Sequence, residues 1–522
     1  MEATVEQITA AITALNDKYW YVVMALLFVA GVWFTIRTVG VQVRMLPEML
    51  RSVTAKSQTG FENDGVSPFR AFTISAASRV GTGNVAGVAI AIVIGGPGAV
   101  FWMWLLAIIG GATAFVESTL AQLYKQKGSD GYFGGPAYYI RDGLGAKWLA
   151  AVFAVAITVT YGFVFNAVQS NSISESVQAN WGASSTTAWI VGLGLAALTG
   201  LVIFGGVRRL SAVTNVLVPV MATFYIFLAL IVMVVNITEV PGMIALIVGH
   251  AFGLREVAGA AVGMTMVMQG VRRGMFSNEA GMGSAPNAAA TAAVSHPAKQ
   301  GFVQSLGVYF DTLIVCSATA FIIISTGAYR VYSDGSGSGL LFEGIVSPTA
   351  SEGPAFVQTG FDAMFSGFGP TFVAVALAFF AFTTIVAYYY MAEVNLVFLT
   401  RNLRNGMVRR VVLRFLQALI LVSVAYGAVA TTGAAWGLGD IGVGSMAWLN
   451  ILGILVLQGP ALKALKDYRA QKRQGLDPQF DPRPLGIRNA DFWEHRADGL
   501  ITQGVAGTAE HPIVAEGGAH RA

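Results

Sequence analysis

One cysteine, Cys316, occurs in 522 residues, so a disulfide framework and a thiolate metal site are both excluded. Charge is scarce as well. Only 11% of the side chains are charged, against about 25% in a soluble globular chain. With 55% hydrophobic residues, the protein cannot clothe itself in a polar surface, and a bilayer is the solvent that fits. No barrel-like alternation runs through the apolar stretches. No phosphate-binding loop, nucleophile motif or His/Cys metal set appears, which argues against ATP drive and leaves no catalytic constellation. The first residues, with Glu2 and Glu6, lack the basic start and small-residue cleavage site of a signal peptide. They are therefore expected to remain in the mature protein. The net charge of +4 gives no reason to infer nucleic-acid binding.

What the chain has is apolar length. A hydrocarbon core of roughly 30 Å needs about 20 apolar residues per helix, and eleven such segments are expected near 20–36, 70–94, 98–123, 148–176, 186–205, 212–235, 256–292, 301–326, 369–398, 411–431 and 434–457. The fold class is an all-α polytopic membrane protein. Placing the N-terminus outside puts Arg37, Arg44, Arg51, Lys56, Lys125, Lys127, Arg141, Lys147, Arg208, Arg209, Lys299, the cluster Arg401 to Arg414 and Lys463 to Arg473 on the inner side. Outer loops keep chiefly Lys18, Arg255 and Arg330. The positive-inside bias thus predicts N-out, C-in, and an odd helix count agrees. Residues 327–366 are expected to form an outer loop with a short lid helix near 354–365, and residues 474–522 a mostly disordered inner tail.

Two of the segments are built badly for lipid. The stretch "SRVGTGNVAG" at 78–87 puts an arginine, two glycines around a threonine and an asparagine into one span. An unpaired backbone group in hydrocarbon costs several kcal/mol, so a break survives only where it is buried in protein or lines a cavity. Half-helix amides suit a carboxylate, and freed carbonyls suit Na⁺. Close helix packing is the competing reading, because Gly83 and Gly87 also make a GxxxG contact motif. The seventh segment repeats the pattern with "MQGVRRGMFSNEAGMGSAP". The second and seventh segments are five apart. If the first helix is an addition, ten remain, in two five-helix halves of opposite orientation that each begin with a broken helix. The substrate is expected at midplane between the breaks.

These residues also carry a family resemblance. "GTGNVAGVAIAIVIGGPGAVFWMWLLAIIG", "GGPAYYI", "RRGMFSNEAGMGSAP", "QGFVQSLGVYFDTLIVCSATA" and "TTGAAW" resemble the alanine/glycine:cation symporters, also called sodium:alanine symporters, over about residues 20–460. The resemblance implies a leucine-transporter-like 5+5 inverted repeat of the amino acid–polyamine–cation superfamily. It also implies a plasma-membrane symporter, not an enzyme, coupling Na⁺, with H⁺ as an open alternative, to uptake of a small neutral amino acid such as alanine or glycine. In that frame residues 1–60 hold the extra helix and a linker, 61–460 the core with repeats near 66–236 and 254–460, and 461–522 the tail.

Residue by residue, the resemblance places the amides near Thr82 and Gly83, with Asn84, at the substrate carboxylate. Backbone oxygens of Ala77 and Val80 fall at a Na⁺ site completed by the hydroxyls of Thr383 and Thr384 in "AFTTIVAYYY". A hard cation wants such oxygen ligands, although a Thr pair bonding the preceding turn is the ordinary alternative. Gln169, and more weakly Asn171, in "FNAVQSNS" lie in the contact region of the third core helix. Gln269 and Gly270, in the second interrupted segment, are taken as substrate contacts from the facing repeat. Tyr388 stands where members usually have tryptophan, which leaves more room and adds a hydroxyl. The alternative substrate is accordingly a larger or more polar neutral amino acid. "MAWLN" lacks the usual proline before Asn450, which predicts a straighter last core helix. Glu117, Glu279, Asp311, Glu393 and Asp440 are costly in a membrane, and most are expected to pair with Arg79, Arg272 or Arg273. His250 and His296 are read as interfacial.

Overall fold

The structure, a computed structural model, describes residues 2–55, 65–128, 131–182, 184–253, 259–332, 340–347, 353–403 and 405–498. A long helix α1 (Glu2–Arg37) leads through short helices α2 (Val41–Arg44) and α3 (Leu46–Thr54) to the first broken helix. That helix consists of α4 (Pro68–Arg79), a π-helical turn at Gly83–Gly87, and α5 (Val88–Gly95). The two halves meet at 54°. Next come α6 (Ala99–Leu123), a small hairpin of β1 (Gln126–Gly128) and β2 (Gly131–Phe133), and α7 (Pro136–Leu144). Helices α8 (Lys147–Val159) and α9 (Phe165–Trp181) join through a second π-helical turn, and α10 (Ser185–Ile203), α11 (Gly206–Val235) and α12 (Val240–Ala251) complete the first half.

The second half opens with α13 (Gly259–Asn278) and α14 (Ala285–Ala290), the other broken helix. It continues with α15 (Ala298–Tyr309), a π-helical stretch at Phe310–Cys316, and α16 (Ser317–Ser325). The loop then holds a hairpin of β3 (Arg330–Tyr332) and β4 (Leu340–Glu343), followed by α17 (Pro354–Met364) at the place expected for a lid helix. Last are α18 (Gly369–Thr400), α19 (Gly406–Gly427), α20 (Thr432–Arg473) and α21 (Asp491–Ala497).

Every one of the eleven expected spans coincides with a helix or helix pair, but length and apolarity alone mark eight among the described residues, or nine with the bent pair. The shortfall has two physical causes. The expected span 256–292 is cut between α13 and α14, and α19 begins with Arg409, Arg410 and Arg414 in its first turns. The outer faces of the bundle are apolar, and within its largely apolar interior polar groups are buried. Ile190 and Val456 are 67% and 75% exposed, while Arg79, Asn84, Glu117, Gln169, Glu279 and Asp311 are all buried. Leaving such groups unbonded costs about 2–7 kcal/mol each, which fixes how the helices pack around them. Helix α20 runs unbroken through "MAWLN" and continues through Pro460 to Arg473.

The tail departs from expectation. Residues 474–498 fold back onto the end of the bundle where α6 and α20 finish. Phe480 donates its amide to Ser295 O at 3.1 Å, Lys299 pairs with Asp477 at 2.7 Å, and Arg496 reaches Val294 O at 2.8 Å. Trp493 is fully buried and donates to Gln122 O at 2.7 Å. Lys125 donates to Ala292 O at 2.9 Å, with the rings of Tyr132 and Phe492 each 4.4 Å away. Burial holds its pKa well below the usual lysine value. His296, read as interfacial, is buried between Tyr468 and Phe480. Residues 499–522 lie outside the described part of the chain. The expectation of disorder fails for 474–498 because four apolar anchors, Phe480, Ile487, Phe492 and Trp493, are spaced without helical or strand period among charges.

Truncating a fully buried tryptophan costs about 3–5 kcal/mol. Trp493→Ala is therefore expected to lower the thermal midpoint of purified protein clearly, whereas Trp493→Phe, which keeps the ring and loses the hydrogen bond, lowers it less. An unchanged melt for Trp493→Ala would show that the tail does not hold this end together.

Candidate functional site

The first break follows from sequence chemistry. Ser67 caps α4, its Oγ accepting from the Arg70 amide at 3.2 Å, and Pro68 occupies the first turn, where no amide is needed. Val80 leaves helical geometry with φ −78° and ψ 87°. The freed amides are met by side chains. Gly81 N donates to Asn84 Oδ1 at 2.9 Å and Thr82 N to Gln169 Oε1 at 3.0 Å. A Cβ on Gly81 would lie 2.5 Å from Thr384 Oγ1 and 3.0 Å from Gln169 Oε1, so only glycine admits both neighbours.

The second break lies at 279–284, beyond the end of α13. Glu279, Gly281 and Gly283 all take left-handed backbone, with φ of 57°, 88° and 85°. Ala280 N donates to Asn278 Oδ1 and Gly281 N to Glu117 Oε1. Asn450 donates to Glu117 Oε2 at 2.7 Å and to Gly281 O at 2.9 Å, and it accepts from the Tyr139 hydroxyl. Each break is thus held by one carboxamide of its own broken helix, Asn84 or Asn278, and by carboxamide or carboxylate side chains from other helices, Gln169 at the first and Glu117 with Asn450 at the second.

The two breaks meet through Asn84. Its Nδ2 donates to Asp311 Oδ1 at 2.7 Å and to Ser277 Oγ at 3.0 Å, and Ser277 donates to Asp311 Oδ2 at 2.5 Å. Thr319 donates to Asn84 O at 2.7 Å. On the other side of the first break, Thr384 Oγ1 lies 2.7 Å from Ala77 O, 3.2 Å from Val80 O and 2.9 Å from Phe380 O. The oxygens of Ala77, Val80 and Thr384 therefore converge. Thr383 is different: its hydroxyl donates to Phe380 O at 2.9 Å, the ordinary bond to the preceding turn.

An aromatic wall closes the region. Tyr161, Phe165, Phe276, Tyr388 and Trp436 form a chain of rings with neighbouring centroids 4.5–5.4 Å apart. Thr82, Gly83, Asn84, Gln169 and Tyr388 are all buried, so a molecule can reach them only when helices move. Gly83 packs against this wall, with Phe276 Cδ1 3.1 Å from where a Cβ would sit.

Several expectations need correction. Gln269 and Gly270 are not at the second break. They lie inside α13, more than two turns before it, and a Cβ on Gly270 would approach Ala99 O to 2.5 Å. Gly270 is a close-packing position against α6, and the residues of α13 that reach the first break are Phe276 and Ser277. Asn171 donates to Ala430 O, a bond between helices. Of the five membrane carboxylates, Asp440 does meet arginine, at 2.7 Å from Arg273 and 3.8 Å from Arg272. Glu117, Glu279 and Asp311 are held by neutral donors instead. Arg79 uses Nη1 on Gln304 O at 3.4 Å, because Gly307 leaves its guanidinium a slot against α15. Glu393 is half-buried on α18. Ser277, Thr319 and Tyr161 were not singled out from sequence. Ser277 had a signal, since it directly precedes the second break.

Two broken helices crossing inside a helical bundle, with polar groups gathered at both breaks, define a multi-pass membrane transporter. The chain matches the sodium:alanine symporter family over residues 5–482, and it belongs to that family. It is a symporter by class and not an enzyme. A putative sodium/proton-dependent alanine carrier protein, YrbD of Bacillus subtilis (strain 168), is 50% identical over 486 residues, covering 92% of this chain and 97% of that one. The probable sodium/glutamine symporter GlnT of the same organism is 44% identical over 466 residues, covering 89% and 91%. In three dimensions the chain is similar to a Na⁺-coupled sialic acid symporter in its substrate-bound outward-open state. The TM-score is 0.50 at 12% identity, covering 93% of this chain and 98% of that one. That likeness shows the leucine-transporter-like fold.

Breaking a buried ion pair on one side costs about 3–5 kcal/mol, because the other charge stays buried. Asp440→Ala is expected to destabilise the protein by that order, while Arg273→Met combined with Asp440→Leu recovers most of the loss. Thermal melts of the single and double variants read this directly. A double variant as unstable as the single would mean that the pair acts through something other than its charge.

Proposed function

We propose that this protein is a sodium-coupled symporter of a small neutral amino acid, alanine or glycine, with its substrate held between the two breaks. The observation that carries the reading is the convergence of Ala77 O, Val80 O and Thr384 Oγ1 beside the unwound Gly81–Thr82 amides. A hard cation is satisfied by carbonyl and hydroxyl oxygens, so these three atoms are the core of its site, and Thr383 has a minor part. Asn84 Oδ1 and Gln169 Oε1 occupy the positions that carboxylate oxygens of a substrate would take on the same amides. The buried Thr82 Oγ1, which has no hydrogen-bond partner among the described residues, gives that end of the site one further polar contact. Gly83 and the aromatic wall stand at the side-chain end, where Phe276 Cδ1 comes to 3.1 Å from the place of a Cβ on Gly83, a surrounding that suits a small side chain.

A second reading has its own support. Tyr388 replaces the family's usual tryptophan, and a glutamine symporter is named among the similar proteins, so a larger or more polar neutral amino acid is the alternative cargo. In the membrane we place eleven spans with the N-terminus outside, residues 61–460 forming the transporter core. Exposed Glu343→Cys is then labelled from outside and exposed Asn405→Cys from inside, and the opposite pattern refutes this orientation.

Purified protein in liposomes, given labelled alanine, glycine, serine and glutamine with Na⁺ and H⁺ gradients imposed separately, tests the coupling. Alanine uptake driven by Na⁺ alone is expected. Uptake that follows only the proton gradient would overturn the sodium assignment. Losing a buried hydroxyl partner is worth about 1–3 kcal/mol, so Thr384→Ala is expected to raise the Na⁺ concentration for half-maximal uptake by roughly tenfold or more. Thr383→Ala should change it far less. Tyr388→Trp should narrow transport toward glycine and alanine, and Tyr388→Ala should admit bulkier substrates, each by about 1–3 kcal/mol of discrimination. An unaltered substrate ranking in both variants removes Tyr388 from the site.

A further inference from the structure

Glu279 sits in the second break and is fully buried. Its backbone is left-handed, at φ 57°, a region that glycine or asparagine enters more easily than glutamate. A glutamate kept there is kept for its side chain. Three hydroxyls from three separate elements donate to that carboxylate. Ser284, just ahead of α14, reaches Oε2 at 2.7 Å. Ser78, in the last turn of α4, reaches the same oxygen at 3.0 Å, its one proton shared between this contact and Ser75 O at 2.9 Å. Tyr161, in the turn between α8 and α9, reaches Oε1 at 2.8 Å.

Each of those donors is attached to something that matters. Ser78 follows Ala77 and precedes Val80 by two residues, and the carbonyls of both converge on Thr384. The Tyr161 ring stands 4.5 Å from Tyr388 and 5.0 Å from Phe165 in the aromatic wall. Ser284 starts the half-helix that leaves the second break. No arginine or lysine nitrogen lies within 4 Å of the carboxylate among the described residues. Its hydrogen bonds therefore come from the three hydroxyls, with Arg79 adding a more distant positive charge; Oε2 is shared by Ser284 and Ser78, and losing Tyr161 takes away the bond that Oε1 has.

We infer that Glu279 is a positioning residue that makes the cation-holding turn, the second break and the substrate wall adjust together. When an ion pulls the Ala77 and Val80 carbonyls into place, Ser78 shifts with them, and the shared carboxylate passes that shift to Tyr161 and so to the wall at Tyr388. The inference rests on the reading of Ala77, Val80 and Thr384 as the cation site, and it adds a residue that touches neither ion nor substrate.

The test uses purified full-length protein in detergent, read by the rise in melting temperature that Na⁺ produces with and without alanine, since a ligand that binds the folded state raises its stability. Uptake in liposomes is the second readout. Glu279→Gln cannot accept all three hydroxyls, and Na⁺ is expected to be needed at roughly tenfold higher concentration for the same rise, with Glu279→Asp recovering part of it. Tyr161→Phe removes only the link to the wall. It should leave the Na⁺ effect alone intact and weaken the extra rise that alanine adds. If Glu279→Gln does not fold, Ser78→Ala and Tyr161→Phe carry the test, the first expected to act on the Na⁺ rise and the second on the alanine increment. A purely structural Glu279 would lower the melting temperature without ligands and leave both increments unchanged, which overturns the inference. Thr384→Ala separates the two levels. If it shifts the Na⁺ effect while the variants at 279, 78 and 161 do not, the coupling role fails alone; if Thr384→Ala also leaves it unchanged, the cation-site reading fails.

Discussion

A backbone group freed from a helix inside an apolar bundle has no water to turn to, and this constraint organises the interior of the protein. Both broken helices release amides and carbonyls where the chain is fully buried. The chain answers with one local carboxamide at each break, Asn84 and Asn278, and with side chains brought from far away in sequence: Gln169 at the first break, Glu117 and Asn450 at the second. Because each of those side chains also bonds a further group, the breaks become nodes of a network. The same atoms that stabilise the fold are those a carboxylate or a cation would engage.

Charge is distributed over that network in two ways. Asp440 is neutralised by Arg273, which stacks over Trp436 at 4.7 Å, and Arg272 next to it pairs with Asp17 at 2.6 Å. This is a structural clamp between α13, α20 and α1. Asp311, Glu279 and Glu117, by contrast, rely on hydroxyls, carboxamides and amides. Such donors can rotate or exchange partners at modest cost, whereas an ion pair in low dielectric resists separation. The hydrogen-bonded carboxylates lie at the two breaks, where a transporter must change shape, and the ion pair lies aside from them.

The end of the bundle beneath the breaks is tied differently. Val66, just before α4, takes the Thr291 carbonyl and gives its own to the Ala293 amide, so the entry to the first broken helix pairs with the exit from the second. Residues 294–296 then receive the tail through Arg496 and Phe480. Many of the polar contacts of this end run to main-chain carbonyls, from the Val66 and Phe480 amides and from the side chains of Lys125, Trp493 and Arg496, supported by the packed rings of Phe480, Phe492 and Trp493.

The sequence by itself determined the solvent, the family, the order of the helices and the location of the first break, because those follow from local properties: apolar run length, glycine and asparagine inside a span, and a dense set of motifs. The resemblance also grouped Ala77 and Val80 with Thr383 and Thr384, and in the structure the Thr384 hydroxyl lies 2.7 and 3.2 Å from the two carbonyls. Only the tertiary structure decided which of two adjacent threonines turns toward the carbonyls, since both hydroxyls can bond the preceding turn and the choice depends on where α4 ends against α18. Only it narrowed the second interruption, spread in the sequence over "MQGVRRGMFSNEAGMGSAP", to 279–284, because glycine serves close packing and chain interruption equally well and sequence does not show what lies opposite. The partners of the buried carboxylates and the docking of residues 474–498 were hidden for the same reason. Both rest largely on contacts between residues far apart in the chain, such as Tyr161 with Glu279, Asn84 with Asp311 and Gln122 with Trp493, and no local pattern encodes which distant donor or groove will be there to receive them.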